Sequence, residues 1–229
     1  MKTNSSAILE GEGRNDYARY MKTDVLLSLQ LPDEKLIHKD EMMFQIVHQS
    51  TELWLKLSCY ELNQAILAIK NENINKAMVN VKRAAQAISL IIEQLSILKS
   101  MTPWDFQSIR PALGNGSGIE SPGWRETQSV GKRLNTVIEA YLSEKNINLI
   151  DLYQSQKNTS LFSLMESLID WDENVSLWRT HHYKLAVRTL GLNTQGTRGK
   201  PIEKLTRMID RQFFPQLWKV RTYLTSSAY

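Results

Sequence analysis

The chain has 229 residues, of which 42% are hydrophobic and 23% charged. These fractions are typical of a soluble globular protein with its own core, and they exclude a disordered, collagen-like or membrane-embedded chain. The net charge of +4 is small and spread along the chain, so it favours no nucleic-acid partner, although it suits an acidic small molecule.

The single cysteine and the apolar runs predict where the protein resides. Cys59 has no disulfide partner within the chain, which favours a reducing compartment. Polar and acidic positions follow residues 1–6, unlike the apolar run of a signal peptide. The most apolar stretch, 87–98, is interrupted by Glu93 and is too short and polar to cross a bilayer. We therefore expect a cytoplasmic protein with no membrane partner.

The positions of glycine and proline predict the fold class. All ten glycines lie within 11–13, 114–131 and 191–199. Residues 33–102 and 132–190 contain neither glycine nor proline. Because these two residue types are the strongest helix breakers, both tracts are predicted to be helical.

Hydrophobic spacing supports an all-α helical bundle. Asp40 is a candidate N-cap for a helix that runs to about Ile69. A second helix is indicated by one stripe at spacings of three and four: Ile74, Met78, Val81, Ala85, Ile88, Ile92 and Leu95. The alternation typical of half-buried strands is not sustained anywhere. We expect a single domain over 1–229, with 1–16 as a mobile tail.

Two glycine-rich stretches are predicted to be loops of this bundle. The first runs from Thr102 to Gly131 and holds three prolines and five glycines, and the second runs from Gly191 to Pro201. Long loops inside compact domains are usually functional. Because helical bundles place cofactors between facing helices, the two loops are candidate walls of a ligand site.

The histidines are the candidate ligands in this bundle. His48 follows Phe44 by four residues and shares its face, and His182 shares a stripe with Trp178, whereas His181 faces elsewhere. His38 is expected at the surface. The spacing leaves two readings open for His48 and His182: partly buried structural residues, or the two sides of a haem pocket.

Other chemistry has little support in the sequence. There is no cysteine pair and no His-x-x-x-His pattern for zinc, and no phosphate-binding fingerprint. Ser117 lies between two glycines but lacks the strand–turn–helix setting of a nucleophile elbow. We do not expect it to be a nucleophile.

Six segments, spread over nearly the whole chain, carry a more specific signal. They are YARYM at 17–21, EMMFQIVHQSTELWLK at 41–56, MTPWDF through the Ser117 and Ser121 region at 101–121, LWRTHH at 177–182, GT at 196–197, and FFPQLWKVRT at 213–222. Together and in this order they resemble the tryptophan 2,3-dioxygenase family. The resemblance implies a haem-dependent oxygenase that acts on L-tryptophan or a close indole amino acid.

The resemblance also implies how a haem b would be held between the helices. His182, not His181, would be the axial ligand of the iron, because it holds the last place of the Leu-Trp-Arg-x-x-His pattern. His48 would be the catalytic residue on the distal side, near the indole nitrogen. The residues implied to line the cofactor are Trp178, Ser117, Gly118 and Arg198.

For the substrate, the resemblance implies two residues that bind its amino-acid end and an active site shared between subunits. Arg110 would bind the carboxylate through its planar fork of donors, and Thr197 would bind the amino-acid end. Phe44 would pack on the indole. Tyr17, Tyr20 and Met21 would come from a neighbouring subunit of a homotetramer.

The implied reaction inserts dioxygen across indole C2–C3 to give N-formylkynurenine, a step of tryptophan catabolism through the kynurenine pathway. Three departures from the family pattern leave alternatives open. The segment 126–177 is several tens of residues short, and Arg198 and the pair Ile119–Glu120 replace residues of the family. Arg198 either pairs with a haem propionate or a substrate carboxylate, or is a solvated charge. The alternative functions are a monooxygenase of secondary metabolism that forms an oxindole or hydroxylated product, and a non-catalytic haem-binding sensor.

Overall fold

The structure, a computed structural model, describes residues 7–155, 159–197 and 199–227. Secondary structure in these ranges is helical, apart from one isolated bridge between Gln195 and Pro201. The predicted all-α fold is therefore confirmed. No helix among the described residues is long and apolar enough to cross a membrane.

The N-terminal arm contains two short helices, α1 (Asp16–Met21) and α2 (Thr23–Leu26). Asn15 caps α1 by accepting a hydrogen bond from the backbone N–H of Ala18. The Asp16 carboxylate accepts from the backbone N–H groups of Ile8 and Leu9, at 3.0 and 2.7 Å. These contacts hold the chain before α1 against the first turn of the helix.

Two long helices, α3 (Glu41–Lys70) and α4 (Ile74–Leu98), form the predicted pair over 33–102. The turn between them needs no glycine, because Glu72 adopts a left-handed conformation with φ of 56°. Asn73 then caps α4. Asp40 does occupy the N-cap position of α3, but its side chain makes no capping hydrogen bond, so that part of the prediction is wrong.

The predicted loop from Thr102 to Gly131 is wrong over most of its length. It contains α5 (Pro103–Ile109), 3-10 turns at Arg110–Leu113 and Gly118–Glu120, and the start of α6 (Pro122–Glu144). A Cβ on Gly131 would lie 2.5 Å from the Phe213 ring, so this glycine permits close packing inside a helix rather than a loop.

The tract 132–190 is helical as predicted but is interrupted twice. After α6 come α7 (Leu149–Gln154) and α8 (Ser160–Leu190). The first break lies at Asn146, whose φ of 51° is the left-handed conformation that glycine usually takes at the end of a helix. The chain ends in a 3-10 helix at Ile202–Met208 and in α9 (Pro215–Ser227).

Helix α7 is the short connection between α6 and α8. It is held to its neighbours through the Glu166 carboxylate of α8. Oε1 of Glu166 accepts from the Tyr153 hydroxyl at 2.5 Å and from Arg221 Nη2 of α9 at 2.6 Å. One carboxylate therefore joins three helices at this point.

The main core lies where α4 packs between α3 and α8, with α6 on the other side of α3. Its fully buried side chains include Leu55, Leu62, Ile88, Ile91, Leu134, Ile138, Trp171 and Phe214. Each aliphatic side chain of this kind stabilises the fold by about 1.5–3 kcal/mol through burial. Asp172 lies within this core and accepts hydrogen bonds from the backbone N–H groups of Phe213 and Phe214 and from Trp218 Nε1, at 2.9–3.1 Å. The carboxylate thereby fixes the start of α9 on α8.

Candidate functional site

A second, smaller apolar cluster lies beside the main core and draws residues from α3, α4, α5 and α8. We call it the site cluster. Its buried members are Val47, Leu95, Leu98, Met101 and Ile109, and the half-buried side chains packed on them include Phe44, Phe106, Trp178 and Leu185. Phe44 lies one turn before His48, and Trp178 lies one turn before His182. The cluster therefore brings the two histidine-bearing helical turns together.

His48 forms a hydrogen bond with its own helix, which fixes the tautomer of the neutral imidazole. Its Nδ1 lies 2.7 Å from the Phe44 carbonyl oxygen. Because a carbonyl can only accept, Nδ1 carries the proton and Nε2 keeps a free lone pair. The ring also stacks on Phe44, with centroids 4.1 Å apart. Part of the ring is exposed, yet the surrounding protein desolvates it and lowers its pKa, against the opposing effects of the Phe44 carbonyl and Glu52.

His182 is more strongly desolvated. Its pKa is lowered to about 4, mainly by burial and to a smaller extent by the positive charge that His48 would carry when protonated. The two imidazoles are therefore close enough to interact electrostatically. Among the described residues, nothing hydrogen-bonds to the His182 ring, which stacks parallel to Trp178 with centroids 5.0 Å apart. At neutral pH this side chain has an unprotonated nitrogen available to a ligand, whereas His181 is exposed.

These donors fit a haem. A neutral imidazole is the commonest protein ligand of haem iron, and His182 offers one at the edge of an apolar cluster. The Trp178 Nε1 atom is buried and has no hydrogen-bond partner in the part of the chain that the structure describes, and its ring is covered by Trp124 with centroids 3.8 Å apart. A buried N–H without an acceptor is unusual and indicates a place where a further polar group is accommodated.

Arg110 joins the two glycine-rich segments. Its Nη2 donates to the backbone carbonyls of Gln195 and Gly196, both at 3.1 Å. The Thr197 hydroxyl donates to the Gly116 carbonyl at 2.5 Å. Phe106, four residues before Arg110, packs on Phe44 with ring centroids 6.2 Å apart. The guanidinium therefore lies where the two glycine-rich segments meet, near the turn of α3 that carries Phe44 and His48.

The other predicted site residues are not gathered around the histidines in this single chain. Ser117 begins the 3-10 turn that contains Gly118, and its backbone N–H donates to Glu120 Oε2 at 3.0 Å. Tyr17, Tyr20 and Met21 are exposed on the N-terminal arm, at 67%, 73% and 51%. Arg198 lies outside the described residues.

Two residues beside His48 and His182 were not predicted from the sequence, Glu52 and Trp124. Glu52 follows His48 by four residues, on the same face of α3, and its Oε2 accepts from the backbone N–H of Gly123 at 2.9 Å. It also accepts from the Ser121 hydroxyl, so it fixes the start of α6. Trp124 lies in this first turn of α6, so the contacts of Glu52 also place its ring over Trp178. The spacing of four from His48 could have identified Glu52, but nothing in the sequence indicates the contact with Trp124.

Two concave surfaces lie away from His48 and His182. One, of about 530 Å³, lies between α6, α7 and α9, and the other, of about 490 Å³, lies at residues 33–42. We place the candidate site at the histidines rather than in either concavity, because two desolvated titratable groups with free lone pairs are a stronger chemical signal than volume.

An all-α bundle with two neutral imidazoles beside one apolar cluster has the features of the helical haem proteins as a class. Comparison with known proteins names the family within it. The family model described as tryptophan 2,3-dioxygenase matches residues 3–139. The chain is 30% identical to a tryptophan 2,3-dioxygenase of Bacillus thuringiensis subsp. konkukian (strain 97-27), over 98% of this chain and 100% of that protein. It is also 30% identical to the one from Rhodococcus jostii (strain RHA1), over 91% and 92%, respectively.

The chain belongs to the tryptophan 2,3-dioxygenase family, a family of haem-dependent oxygenases, and the resemblance found in the sequence is confirmed. The relatives cover the C-terminal part that the family model leaves out, which contains His182. The Bacillus alignment runs over 285 positions although this chain has 229 residues, so that relative has segments that are absent here.

Proposed function

We propose that the protein is a tryptophan dioxygenase that binds haem b and inserts both atoms of dioxygen across the indole C2–C3 bond of L-tryptophan, giving N-formylkynurenine. The observation that carries the proposal is the pair of desolvated, neutral imidazoles, His48 and His182, beside one apolar cluster in a chain of this family. The cofactor, when bound, supplies the iron at which dioxygen reacts.

In this proposal His182 would hold the haem iron. Its nitrogen stays unprotonated throughout the physiological pH range because burial lowers its pKa to about 4. Trp178 stacks on the imidazole and limits its rotation, which keeps the lone pair in one direction. The unpartnered Nε1 of Trp178 is available to a polar edge of the cofactor. Ser117 and Gly118 are assigned to the edge of the same site.

His48 acts on the substrate rather than on the iron. Its Nδ1–H is committed to the Phe44 carbonyl, so Nε2 is the atom that accepts a hydrogen bond from the indole N–H. The Phe44 ring, stacked on the imidazole, provides the apolar surface for the indole. Together they fix the orientation of the C2–C3 bond, and such positioning lowers a barrier by several kcal/mol.

Arg110 and Thr197 bind the amino-acid end of the substrate. In the structure the guanidinium donates to two loop carbonyls through a single nitrogen, Nη2. Because both planar forks of a guanidinium include Nη2, a carboxylate that accepts two hydrogen bonds from Arg110 would displace at least one of these loop carbonyls. Because the same arginine holds the 195–197 segment, binding of the carboxylate and ordering of this loop are coupled.

The N-terminal arm completes the site in a homotetramer. Tyr17, Tyr20 and Met21 lie on α1 with more than half of their surface exposed. Large apolar side chains grouped in this way indicate a surface that another protein covers. We assign them to the active site of a neighbouring subunit.

Mass spectrometry of the product formed under ¹⁸O-labelled dioxygen tests the reaction. We expect ferrous protein with L-tryptophan to form a product that contains two labelled atoms, without added reductant. A product with one labelled atom that requires a reductant would instead identify a monooxygenase. Haem absorbance without oxygen-dependent loss of tryptophan would identify a binding protein, and either result would overturn the proposal.

A further inference from the structure

A second group of ligand-type side chains lies outside the haem and substrate residues. His38 and Asp40 come directly before α3, and Asp105 lies in the first turn of α5. One ligand atom from each of the three side chains lies within 4.8 Å of the other two. Residues from two separate parts of the chain thus converge at one half-buried point.

The orientation of these side chains suits a shared cation. The Asp105 Oδ2 atom accepts from the backbone N–H and the hydroxyl of Thr102, at 3.0 and 2.6 Å, which leaves Oδ1 facing His38 Nε2 at 3.4 Å. Two ligands about 2.1 Å from a tetrahedral zinc ion are separated by roughly 3.4 Å. The observed separation of the nitrogen and oxygen atoms is therefore that of two zinc ligands.

Asp40 contributes the third ligand of the group. Although it occupies the N-cap position of α3, its side chain makes no capping hydrogen bond. Its Oδ2 lies instead 4.0 Å from His38 Nδ1, the ring nitrogen that does not face Asp105, and Asp40 belongs to the group because one ligand atom of each of the three side chains lies within 4.8 Å of the others. Hydrogen bonds from Thr102 also hold the pKa of the Asp105 carboxyl below its ordinary value, so this ligand is ionised near neutral pH. Two carboxylates and one imidazole carry enough negative charge for a divalent cation, even with Lys39 nearby.

The surroundings of these three side chains leave room for an ion to enter from solvent and for water to complete its coordination. His38 lines the concave surface of about 490 Å³ at residues 33–42, which is open to solvent. A site with three protein ligands and water in the fourth position needs access of this kind. A mixed set of imidazole and carboxylate ligands favours zinc over calcium or magnesium, which prefer oxygen alone.

We propose that His38, Asp40 and Asp105 form a binding site for a zinc-class divalent cation, separate from the haem. On binding, His38 Nε2 donates its lone pair to the ion, while the single proton of the neutral ring resides on Nδ1. The ion joins the segment that begins α3, which carries Phe44 and His48, to α5, which leads into Arg110. The site therefore links the two walls of the candidate active site without belonging to it.

Isothermal titration of the chelator-treated, haem-loaded protein with ZnCl₂ tests the site. We expect one zinc ion per chain for the wild type, and affinity at least about tenfold weaker for His38→Ala and for Asp40→Asn. Zinc is expected to raise the unfolding temperature of the wild type but not of His38→Ala.

The matched control is His181→Ala, which removes an exposed histidine outside the cluster and is expected to bind zinc as the wild type does. Asp40→Asn keeps the test independent of folding, because the Asp40 side chain caps no helix. Far-ultraviolet circular dichroism of each variant verifies its helix content. No saturable zinc binding, or equal binding in the wild type and the His38→Ala and Asp40→Asn variants, would overturn the proposal.

Discussion

Two tryptophans seven residues apart on α8 show how differently the main core and the site cluster are built. In the main core, Trp171 is fully buried and its Nε1 donates to the Ser58 hydroxyl at 3.2 Å. In the site cluster, the Trp178 Nε1 is also buried but has no partner. The first indole packs edge-on against Phe213, and the second lies parallel to an unpaired imidazole.

This difference separates packing for stability from packing for function. A buried donor normally finds an acceptor, because leaving it unpaired costs about 1–3 kcal/mol. Around Trp171 and Asp172 that requirement is met within the chain. Around Trp178 and His182 it is not, and the desolvated nitrogens remain available to a cofactor. Asn80 Oδ1 and Gln216 Oε1 are also buried without a partner among the described residues, so the unpaired Trp178 Nε1 marks the site only together with the two histidines.

The largest expected effect is on haem retention. His182→Ala removes the proposed axial ligand, and we expect the purified, haem-supplemented variant to lose the Soret band. His181→Ala removes the exposed neighbour and is expected to keep it, since that side chain lies on the other face of α8. Equal retention in the two variants, measured as the ratio of Soret to protein absorbance, would refute the axial assignment.

The next largest expected effect is on the free energy of unfolding, and it tests the role of Asp172 in the main core. Asp172→Ala leaves the N–H groups of Phe213, Phe214 and Trp218 without their acceptor, so we expect the free energy of unfolding to fall by about 3 kcal/mol or more. Urea unfolding followed by circular dichroism measures the change. The control is Asp170→Ala, which alters an exposed carboxylate on the same helix and is expected to change stability little. Similar losses in both variants would contradict the role given to Asp172.

The smallest of the three effects concerns the substrate clamp. Arg110→Leu removes charged hydrogen bonds worth about 1.5–3 kcal/mol, so we expect KM for L-tryptophan to rise roughly 10- to 100-fold. Arg110→Lys restores the charge without the paired geometry and is expected to recover only part of this loss. Steady-state kinetics provides the measurement, with Arg207→Leu as a control at an exposed arginine. An unchanged KM in Arg110→Leu would remove this residue from the site.

Some features followed from the sequence because they depend on neighbours along one helix. The long helices α3 and α4 were predicted from spacing and from the absence of breakers. The position of His48 beside Phe44, and the angle of about 100° between His181 and His182 around α8, follow from helical periodicity alone. The family likewise followed from the sequence, because each of the six segments that resemble it is a local run of residues.

Other features depended on contacts between distant segments, which local rules do not describe. Gly131 was interpreted as part of a loop but lies in α6, because Phe213 packs where its Cβ would be. Asp40 has the residue type of an N-cap, yet its carboxylate faces His38 and, with Asp105, forms the proposed cation site. Sequence determined the helices, the direction of each histidine and the family, since these depend on positions a few residues apart. Only the tertiary structure decided which buried polar atoms found partners and which did not, because the atoms that satisfy them come from other helices.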